Sequence, residues 1–378
     1  MYKTNVNRYK FKFSRGWFLR FKKRYSIRYR APTNKAQVLP QHYITDINNF
    51  HSFLRRIATP SLDMLPLAVD CIVGIYKLRN IANMDQTPLP FDFLSGKTYS
   101  IGGAKTVWVK GTGGGLDKRQ ATVQLCIFAD GVARIKPMIV FRGKGLRIST
   151  SEKTKWDKRV AVVFQDNAWV DEEVTLWWID HLWNVSHTSI FDKADPRMLV
   201  LDVHRSQKTE KVLSAFRKTK TTPVMVPPGC TSLVQPLDVS INKPFKALVE
   251  EVAQEHYYTH TEQWVKGKIS TSERRVLISQ WVGQAWERLC HQHQNTIIRS
   301  FQKCGISLPI DGSRDSEINI EGLSVYRPPD RGLFVPFNPR DPEGKFDNSA
   351  TDSDCESDSS SLTWDDIETL QLGEYVLE

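Results

Sequence analysis

The stretch ATVQLCIFADGVARIKPMIVFRG, residues 121–143, decides the fold class of this chain. Two apolar runs flank the pair Asp130-Gly131, and an aspartate followed by a glycine between such runs is a strong hairpin signal. We therefore expect two antiparallel strands that are joined by a turn at Asp130. The preceding run KTVWVKG, residues 105–111, predicts one further antiparallel strand.

Strand and helix patterns alternate on both sides of this stretch. GIYKLRNIANMD, residues 74–85, predicts a first strand that ends at Asp85. DEEVTLWWIDHLWNV, residues 171–185, predicts a tryptophan-rich helix, and RMLVLD predicts a buried strand that ends at Asp202. The remaining elements are a helix over 209–217, a strand over 222–229, a helix over 231–258 with an interruption at Pro236 and a kink at Pro244, and helices over 273–301. Together these elements predict an α/β fold, a mixed sheet flanked by helices.

Charge is distributed unevenly along the 378-residue chain. Residues 1–30 carry 11 Lys or Arg and no acidic residue, whereas residues 341–378 carry 12 acidic residues and a single lysine. Because the formal net charge is +10, the middle of the chain carries nearly all of the excess. A basic folded body favours a polyanionic partner such as nucleic acid, and solubility alone is the alternative.

Two classes of protein are disfavoured by the composition. The six cysteines are scattered without a CxxC pair, so neither a disulfide framework nor a zinc ribbon is predicted. The sequence contains no apolar segment of the length that a membrane span or a secretory signal needs. We therefore expect an intracellular protein with no membrane partner.

Three aspartates stand where a strand ends or where a helix faces the strand ends. They are Asp85 in NMDQTPLPF, Asp202 in LVLDVHR and Asp238 in QPLDVSINKPF. Carboxylates bind Mg²⁺ or Mn²⁺ directly, and two such ions about 4 Å apart can activate an oxygen nucleophile and stabilise the leaving oxygen of a phosphodiester. We predict that the three aspartates form this catalytic, metal-binding site, with two ions and no small-molecule substrate. A lone aspartate at a strand end is more often a turn or cap residue.

The same segments resemble the pogo and Tigger group of the Tc1/mariner superfamily of transposases. The resemblance covers about residues 80–305. Its carriers are NMDQTPLPF, KRQATVQLCIFADG, KPMIVFRGKG, LVLD and, most specifically, PPGCTSLVQPLDVSINKPFK. It implies a DDE endonuclease domain with an RNase H-like fold, in which Asp85, Asp202 and Asp238 are the first, second and third acids. It also implies DNA as the partner and the nucleus as the location, and it leaves a homodimer open.

The N-terminal segment FSRGWFLRFKKRYSIRYR, residues 13–30, predicts a short basic amphipathic helix. It resembles the end of a CENP-B-type helix-turn-helix, of which only a part is present. Such a helix can contact phosphates without reading bases, and its affinity then falls steeply as salt rises. The candidate DNA-binding residues are Arg15, Arg20, Lys22, Lys23 and Arg24.

We predict four parts along the chain. They are a partial helix-turn-helix at residues 1–30, a linker with one candidate helix at 31–73, the RNase H-like endonuclease domain with C-terminal helices at 74–305, and a largely disordered acidic tail at 306–378. The leading functional hypothesis is metal-dependent DNA cleavage and strand transfer. The alternatives are a non-catalytic DNA-binding descendant of a transposase and a nuclease that acts on RNA hybrids.

Overall fold

The computed structural model of the protein describes residues 14–25, 42–59, 72–90, 120–184, 195–202, 209–260, 269–323 and 326–329. The chain divides into two units, residues 1–39 and 40–378. The first unit contains the predicted basic helix, α1 (Arg15–Arg24). It begins at Ser14, whose hydroxyl accepts the backbone N–H of Trp17, and the rings of Trp17 and Phe21 stack with centroids 5.0 Å apart.

The second unit, called the body below, contains the remaining described helices and strands. The strands are β1 (Ile72–Val73), β2 (Tyr76–Lys77), β3 (Ile81–Pro90), β4 (Gln120–Phe128), β5 (Met138–Arg142), β6 (Ala161–Gln165), β7 (Arg197–Leu201) and β8 (Thr221–Met225). The α-helices are α2 (Tyr43–Ala58), α3 (Thr150–Lys153), α4 (Glu172–Trp178), α5 (Glu210–Lys218), α6 (Thr231–Val234), α7 (Asn242–Thr259), α8 (Thr271–Gln292) and α9 (Gln294–Lys303). Two π-helical segments, Ile179–Trp183 and Leu237–Ile241, follow α4 and precede α7. None of these described helices is long and apolar enough to cross a membrane.

Six strands form one mixed sheet in the order β6-β5-β4-β3-β7-β8. β4 pairs antiparallel with both β3 and β5, while β5 with β6, β3 with β7, and β7 with β8 pair in parallel. Three antiparallel strands followed by two parallel strands that are reached through helices form the RNase H-like core, to which β6 adds an edge. The predicted mixed α/β fold class is therefore confirmed. The predicted strand KTVWVKG lies outside the described residues.

The prediction that the first strand ends at Asp85 is wrong. β3 begins at Ile81 and continues to Pro90, and all ten of its residues except the first face partners on β4. The pattern is misleading because Pro88 and Pro90 resemble the end of a strand. Since β7 pairs only with the first three residues of β3, no described strand pairs with the distal half of β3 on that side, and prolines are tolerated at such positions.

The predicted turn at Asp130-Gly131 is confirmed. Gly131 has φ +76° and donates its backbone N–H to the carbonyl of Phe128 at the end of β4. The Asp130 carboxylate accepts the backbone N–H of Val132 and pairs with Arg134. A side chain at residue 131 would also collide with α9, so both the conformation and the space require glycine here.

The two faces of the sheet are covered by different helices. One face packs against α2 and α6–α9, and the other packs against α4, α5 and the π-helical segment that follows α4. Trp178 and Trp183 are almost fully buried on the second face, where their rings stack, and the Trp183 indole N–H donates to Thr221. These tryptophans supply the apolar area that holds the helical layer onto the sheet.

The body extends beyond the boundaries predicted at residues 74 and 305. Helix α2 belongs to the core rather than to a linker. Its residues Ile47 and Phe50 are fully buried against the sheet face that α6–α9 also cover. Residues 306–320 continue the same core through Ile306 and Ile320. The boundaries are wrong because both segments are short amphipathic pieces whose apolar side chains find partners only in the folded body.

Candidate active site

Asp85 lies on β3, and Asp202 follows directly after the neighbouring parallel strand β7. The paired residues nearest to them are Asn83 of β3 and Val200 of β7, each two residues before its aspartate. Because side chains alternate along a strand, the Asp85 carboxylate is on the sheet face of Ile81, which α7 covers. The charge of Asp202 contributes to the electrostatics of Asp85.

Asp238 reaches the same face from the π-helical segment Leu237–Ile241. In this segment the N–H of Asn242 bonds to the carbonyl of Leu237, five residues back. The wider turn leads directly into α7 and holds Asp238 at an exposed position, while Leu237 and Ile241 are buried in the core. Single π turns inside helices often occur at functional sites.

The side chain of Asn242 links two of the three aspartates. Its amide nitrogen lies 2.7 Å from Oδ2 of Asp85 and 2.9 Å from Oδ1 of Asp238, and it donates to both. Its amide oxygen is buried and has no hydrogen-bond partner among the described residues. Asn242 therefore fixes one oxygen of each carboxylate and leaves one buried acceptor beside them.

A second asparagine connects the backbones that carry the acids. The Asn83 amide oxygen accepts the N–H of Leu237 at 2.9 Å, and its amide nitrogen donates to the carbonyl of Val200 at 3.0 Å. Asn83 is fully buried and lies on β3, two residues before Asp85. One side chain thus ties together the three segments on which the candidate acids lie.

The charges of the other two aspartates contribute to the electrostatics of Asp85. The pKa of Asp85 is raised from 3.8 to about 7, first by burial and then by the charges of Asp238 and Asp202, against hydrogen bonds from Asn242 and from the backbone of Gln86. Lys246, one turn beyond Asn242 on α7, feels the charges of Asp238 and Asp85, although burial lowers its pKa. The site therefore concentrates negative charge, and Lys246 is a nearby cation among the described residues.

The donor set fits a divalent metal, although the side chains are not already arranged around one. In the described ranges, no three His, Cys, Asp or Glu side chains are placed so that they could hold a single ion. The chemistry nevertheless matches, because hard cations prefer carboxylate and amide oxygens and a cation would relieve the repulsion that raises the pKa of Asp85. The residues that could hold a metal are Asp85, Asp202 and Asp238.

Sequence patterns missed Asn83, Asn242 and Lys246. The positions Asp238, Asn242 and Lys246 are spaced by four, so a helix through them would have predicted one shared face. For Asn83 no local signal exists, since its role depends on the register of β3 against β7.

The candidate DNA-binding residues of the N-terminal segment all lie on α1, in the first unit. They are Arg15, Arg20, Lys22, Lys23 and Arg24. Arg20, Lys23 and Arg24 are exposed there. Their role in DNA binding and the CENP-B-type motif both stay predictions.

Comparison with protein families gives a match over residues 118–301 to the family model described as DDE superfamily endonuclease. Curated relatives include the "Pogo transposable element with KRAB domain" of Mus musculus, 26% identical over 332 residues, which cover 86% of this chain and 49% of the relative. The Homo sapiens protein of the same description is 27% identical, covering 84% of this chain and 48% of the relative. The predicted resemblance to pogo-type DDE proteins is confirmed. The chain spans about half the length of these two relatives.

Solved structures with a similar arrangement include the "Mos1 transposase paired-end complex with left transposon end", with a TM-score of 0.41 and 10% identity over 74% of this chain and 70% of that chain. The "Crystal structure of the Mos1 mariner paired end complex with Mn" gives a TM-score of 0.41 and 9% identity over 74% and 70% of the two chains.

Proposed function

We propose, starting from the match of residues 118–301 to the DDE superfamily endonucleases, that the body is a metal-dependent DNA endonuclease of the transposase type. The proposal is supported most directly by Asp85, whose pKa is raised by burial and by the charges of Asp238 and Asp202, and by the Asn242 amide that links Asp85 to Asp238. The basic excess of residues 31–340 and the exposed position of Asp238 suit a phosphodiester substrate. With DNA as substrate, we also propose the nucleus as the location.

Asp85, Asp202 and Asp238 would hold Mg²⁺ or Mn²⁺. When bound, a pair of such ions activates water or a DNA 3′-hydroxyl and stabilises the leaving oxygen, which are the steps of cleavage and strand transfer. The number of ions is part of the proposal. Because Asp85 shares its negative potential with two other carboxylates, a divalent cation is the natural counter-charge for this site.

Residues around the acids position them and balance their charge. Asn242 donates to one oxygen each of Asp85 and Asp238, and the backbone of Gln86 also donates to Asp85, so these hydrogen bonds fix the orientation of the two carboxylates. Lys246 is half-buried within the field of both acids, where it offsets part of their repulsion. The π turn before α7 brings Asp238 and Asn242 to the site together.

Nicking of supercoiled plasmid by the purified full chain tests the proposal. We expect Mg²⁺- or Mn²⁺-dependent nicking that falls at least about a hundredfold in Asp85→Asn, Asp202→Asn and Asp238→Asn, because each removes a carboxylate that would hold the metal ions. Asp195→Asn is the matched control. Asp195 precedes β7 and pairs with Lys77 at the N-terminal end of the parallel strands, away from the candidate acids. Nicking that is unchanged in Asp85→Asn would overturn the proposed site.

A second candidate function is a non-catalytic DNA-binding protein derived from such an enzyme. It is favoured by the absence, among the described side chains, of a ready-made three-ligand metal site. Calorimetric titration with Mn²⁺ separates the two functions. A saturable binding heat that disappears in Asp202→Asn supports the enzyme, whereas no saturable heat in the wild type supports the non-catalytic protein.

A further inference from the structure

All strands of the sheet except β4 point in the same direction. β4 is antiparallel to both β3 and β5, so β3 and β5 are parallel, and β6, β7 and β8 follow the same direction. The segments that follow β5 and β6 therefore emerge at the C-terminal ends of the parallel strands, where Asp202 follows β7. Groups presented by these two segments therefore lie at the same end of the strands as the candidate acid Asp202.

The segment after β5, RGKGLR at residues 142–147, presents positive charge at this edge. Arg142, Lys144 and Arg147 are exposed, and Leu146 is 85% exposed. The segment is seated on β6, because Gly143 donates its N–H to the Gln165 carbonyl. A side chain at Gly145, which has φ +68°, would collide with the ring of Phe164, so the backbone is held close to β6 while the long side chains point away.

The segment after β6 presents an aromatic side chain beside these cations. Trp169 is 62% exposed at the end of a tight turn. The Gln165 amide oxygen accepts the backbone N–H groups of Asn167 and Trp169, and its nitrogen donates to Asp171. Ala168 has φ +59°, a conformation that costs energy for a residue with a Cβ. The turn is therefore pre-organised with Trp169 turned outward.

The distance from this surface to the acids matches a few base pairs of DNA. Thr122 of β4 pairs with Pro88 of β3 and with Val140 of β5, so Arg142 is level with Pro90. Arg142 therefore lies five residue positions beyond Asp85 along the strands and two strands to the side. At about 3.3 Å per residue and about 4.8 Å per strand, the separation is about 20 Å. Since duplex DNA rises about 3.4 Å per base pair, this span corresponds to about six base pairs.

We propose that Arg142, Lys144, Leu146, Arg147 and Trp169 form a DNA-contact surface, called the basic edge, which holds the duplex beside the phosphodiester that the acids cut. This inference rests on the proposed function. The three cations bind phosphates on the flank of the cleavage point, and Trp169 and Leu146 pack against sugars or bases in a groove. The exposed Asp166 in the same turn opposes one of these charges, so the net contribution is smaller than three full contacts.

Fluorescence anisotropy with a labelled duplex of about 30 base pairs tests the basic edge in EDTA, where no cutting occurs. The full chain is titrated in NaCl from about 50 to about 200 mM. In the triple variant Arg142→Ala, Lys144→Ala, Arg147→Ala, we expect the slope of log affinity against log salt to become shallower by about 2. We expect the affinity at low salt to fall at least about tenfold.

The matched control removes three exposed cations near the N-terminal ends of the parallel strands. Its substitutions are Arg79→Ala, Lys218→Ala and Lys220→Asn. Asparagine is used at position 220 because Lys220 has φ +52°, which asparagine tolerates. We expect a slope close to that of the wild type. Equal changes in the two triple variants would overturn the basic edge, because they would show that only the overall charge matters.

Trp169→Ala tests the aromatic contact separately from charge. We expect about a tenfold lower affinity with an unchanged salt slope, and recovery in Trp169→Phe. A wild-type affinity in Trp169→Ala would remove Trp169 from the surface. All binding is measured without metal, so it does not depend on cleavage. If the wild type does not nick plasmid but the triple variant still shows the shallower salt slope, the proposed function is overturned and the basic edge stands.

Discussion

Asn83 is the residue whose geometry matters most for the candidate site. Its amide bonds to the backbones of Val200 and Leu237, each within two residues of a candidate acid. Asn80 forms a similar link just before the start of the same two strands. Its amide nitrogen donates to Asp195 and to the carbonyl of Pro196, which precede β7. Both asparagines are fully buried, so the pair separates a general effect on strand packing from an effect on the site.

We expect Asn83→Ala to lower the free energy of unfolding by about 2–4 kcal/mol, because it leaves two buried backbone groups without partners. It should also weaken Mn²⁺ binding by about tenfold, measured by electron paramagnetic resonance at a temperature where the protein is folded. Asn80→Ala should destabilise the protein while keeping Mn²⁺ affinity within about twofold. A parallel loss of Mn²⁺ affinity in both variants would show that Asn83 acts through stability alone.

Asp85 is predicted to destabilise the metal-free fold. Its folded pKa lies above its unfolded value, so the folded state binds the proton more tightly and stability falls as pH rises from about 4 through about 7. In EDTA we expect Asp85→Asn to raise the free energy of unfolding by up to about 4 kcal/mol at pH 8 and by less than half of that at pH 5. Urea denaturation measures both values. A variant that is less stable than the wild type at pH 8 would contradict the raised pKa.

At the scale of elements, the sequence predicts the strand that precedes Asp202, the helix capped at Thr209 and the interruption near Pro236. It does not predict the π turn at Leu237–Ile241, because a hydrogen bond that shifts by one residue leaves the apolar pattern unchanged. Pro244 is the third residue of α7, directly after the π turn, so the N–H that proline lacks falls where the helical hydrogen-bond pattern changes. Local patterns therefore locate the acids, whereas their mutual contacts depend on register and on one turn.

Helix α2 is tied to the C-terminal part of the body by a buried histidine. Nδ1 of His51 lies 2.8 Å from the Tyr326 hydroxyl, and Nε2 lies 2.8 Å from the Cys304 carbonyl, to which a neutral ring donates. Burial lowers the pKa of His51 from 6.5 to about 4, more than the Cys304 carbonyl raises it. The folded body therefore holds this ring uncharged at neutral pH.

Acidification should loosen this contact between α2 and the C-terminal segment. Between pH 6.5 and pH 4 the unfolded chain binds a proton at His51 that the folded chain does not, so stability falls as pH falls through this window. We expect His51 to account for a loss of about 2 kcal/mol between pH 7 and pH 5 in urea denaturation. This loss should disappear in His51→Gln and persist in His291→Gln, whose position is exposed. Equal pH dependence in all three proteins would rule out His51 as the source.

At the scale of the whole molecule, opposite charges lie far apart in sequence. The segment 341–378 carries 12 acidic residues, and residues 31–340 carry a basic excess. A tethered acidic segment competes with DNA for basic groups, because tethering raises its local concentration. Deleting residues 341–378 should tighten duplex binding several-fold at low salt and little at high salt, as measured by anisotropy. An unchanged low-salt affinity would leave solvation as the role of this segment.

The order of the strands has a consequence for how the protein is made. Asp85 meets Asp202 only after β3 pairs with a strand more than a hundred residues later, and α2 is complete only when the segment around Tyr326 has been synthesised. Pairings this distant in sequence form slowly, since a long loop must close before any contact is gained. A nascent chain on the ribosome thus carries its acids apart from one another. The three candidate acids come together only after the residues through Asp238 have been translated and β3 has paired with β7.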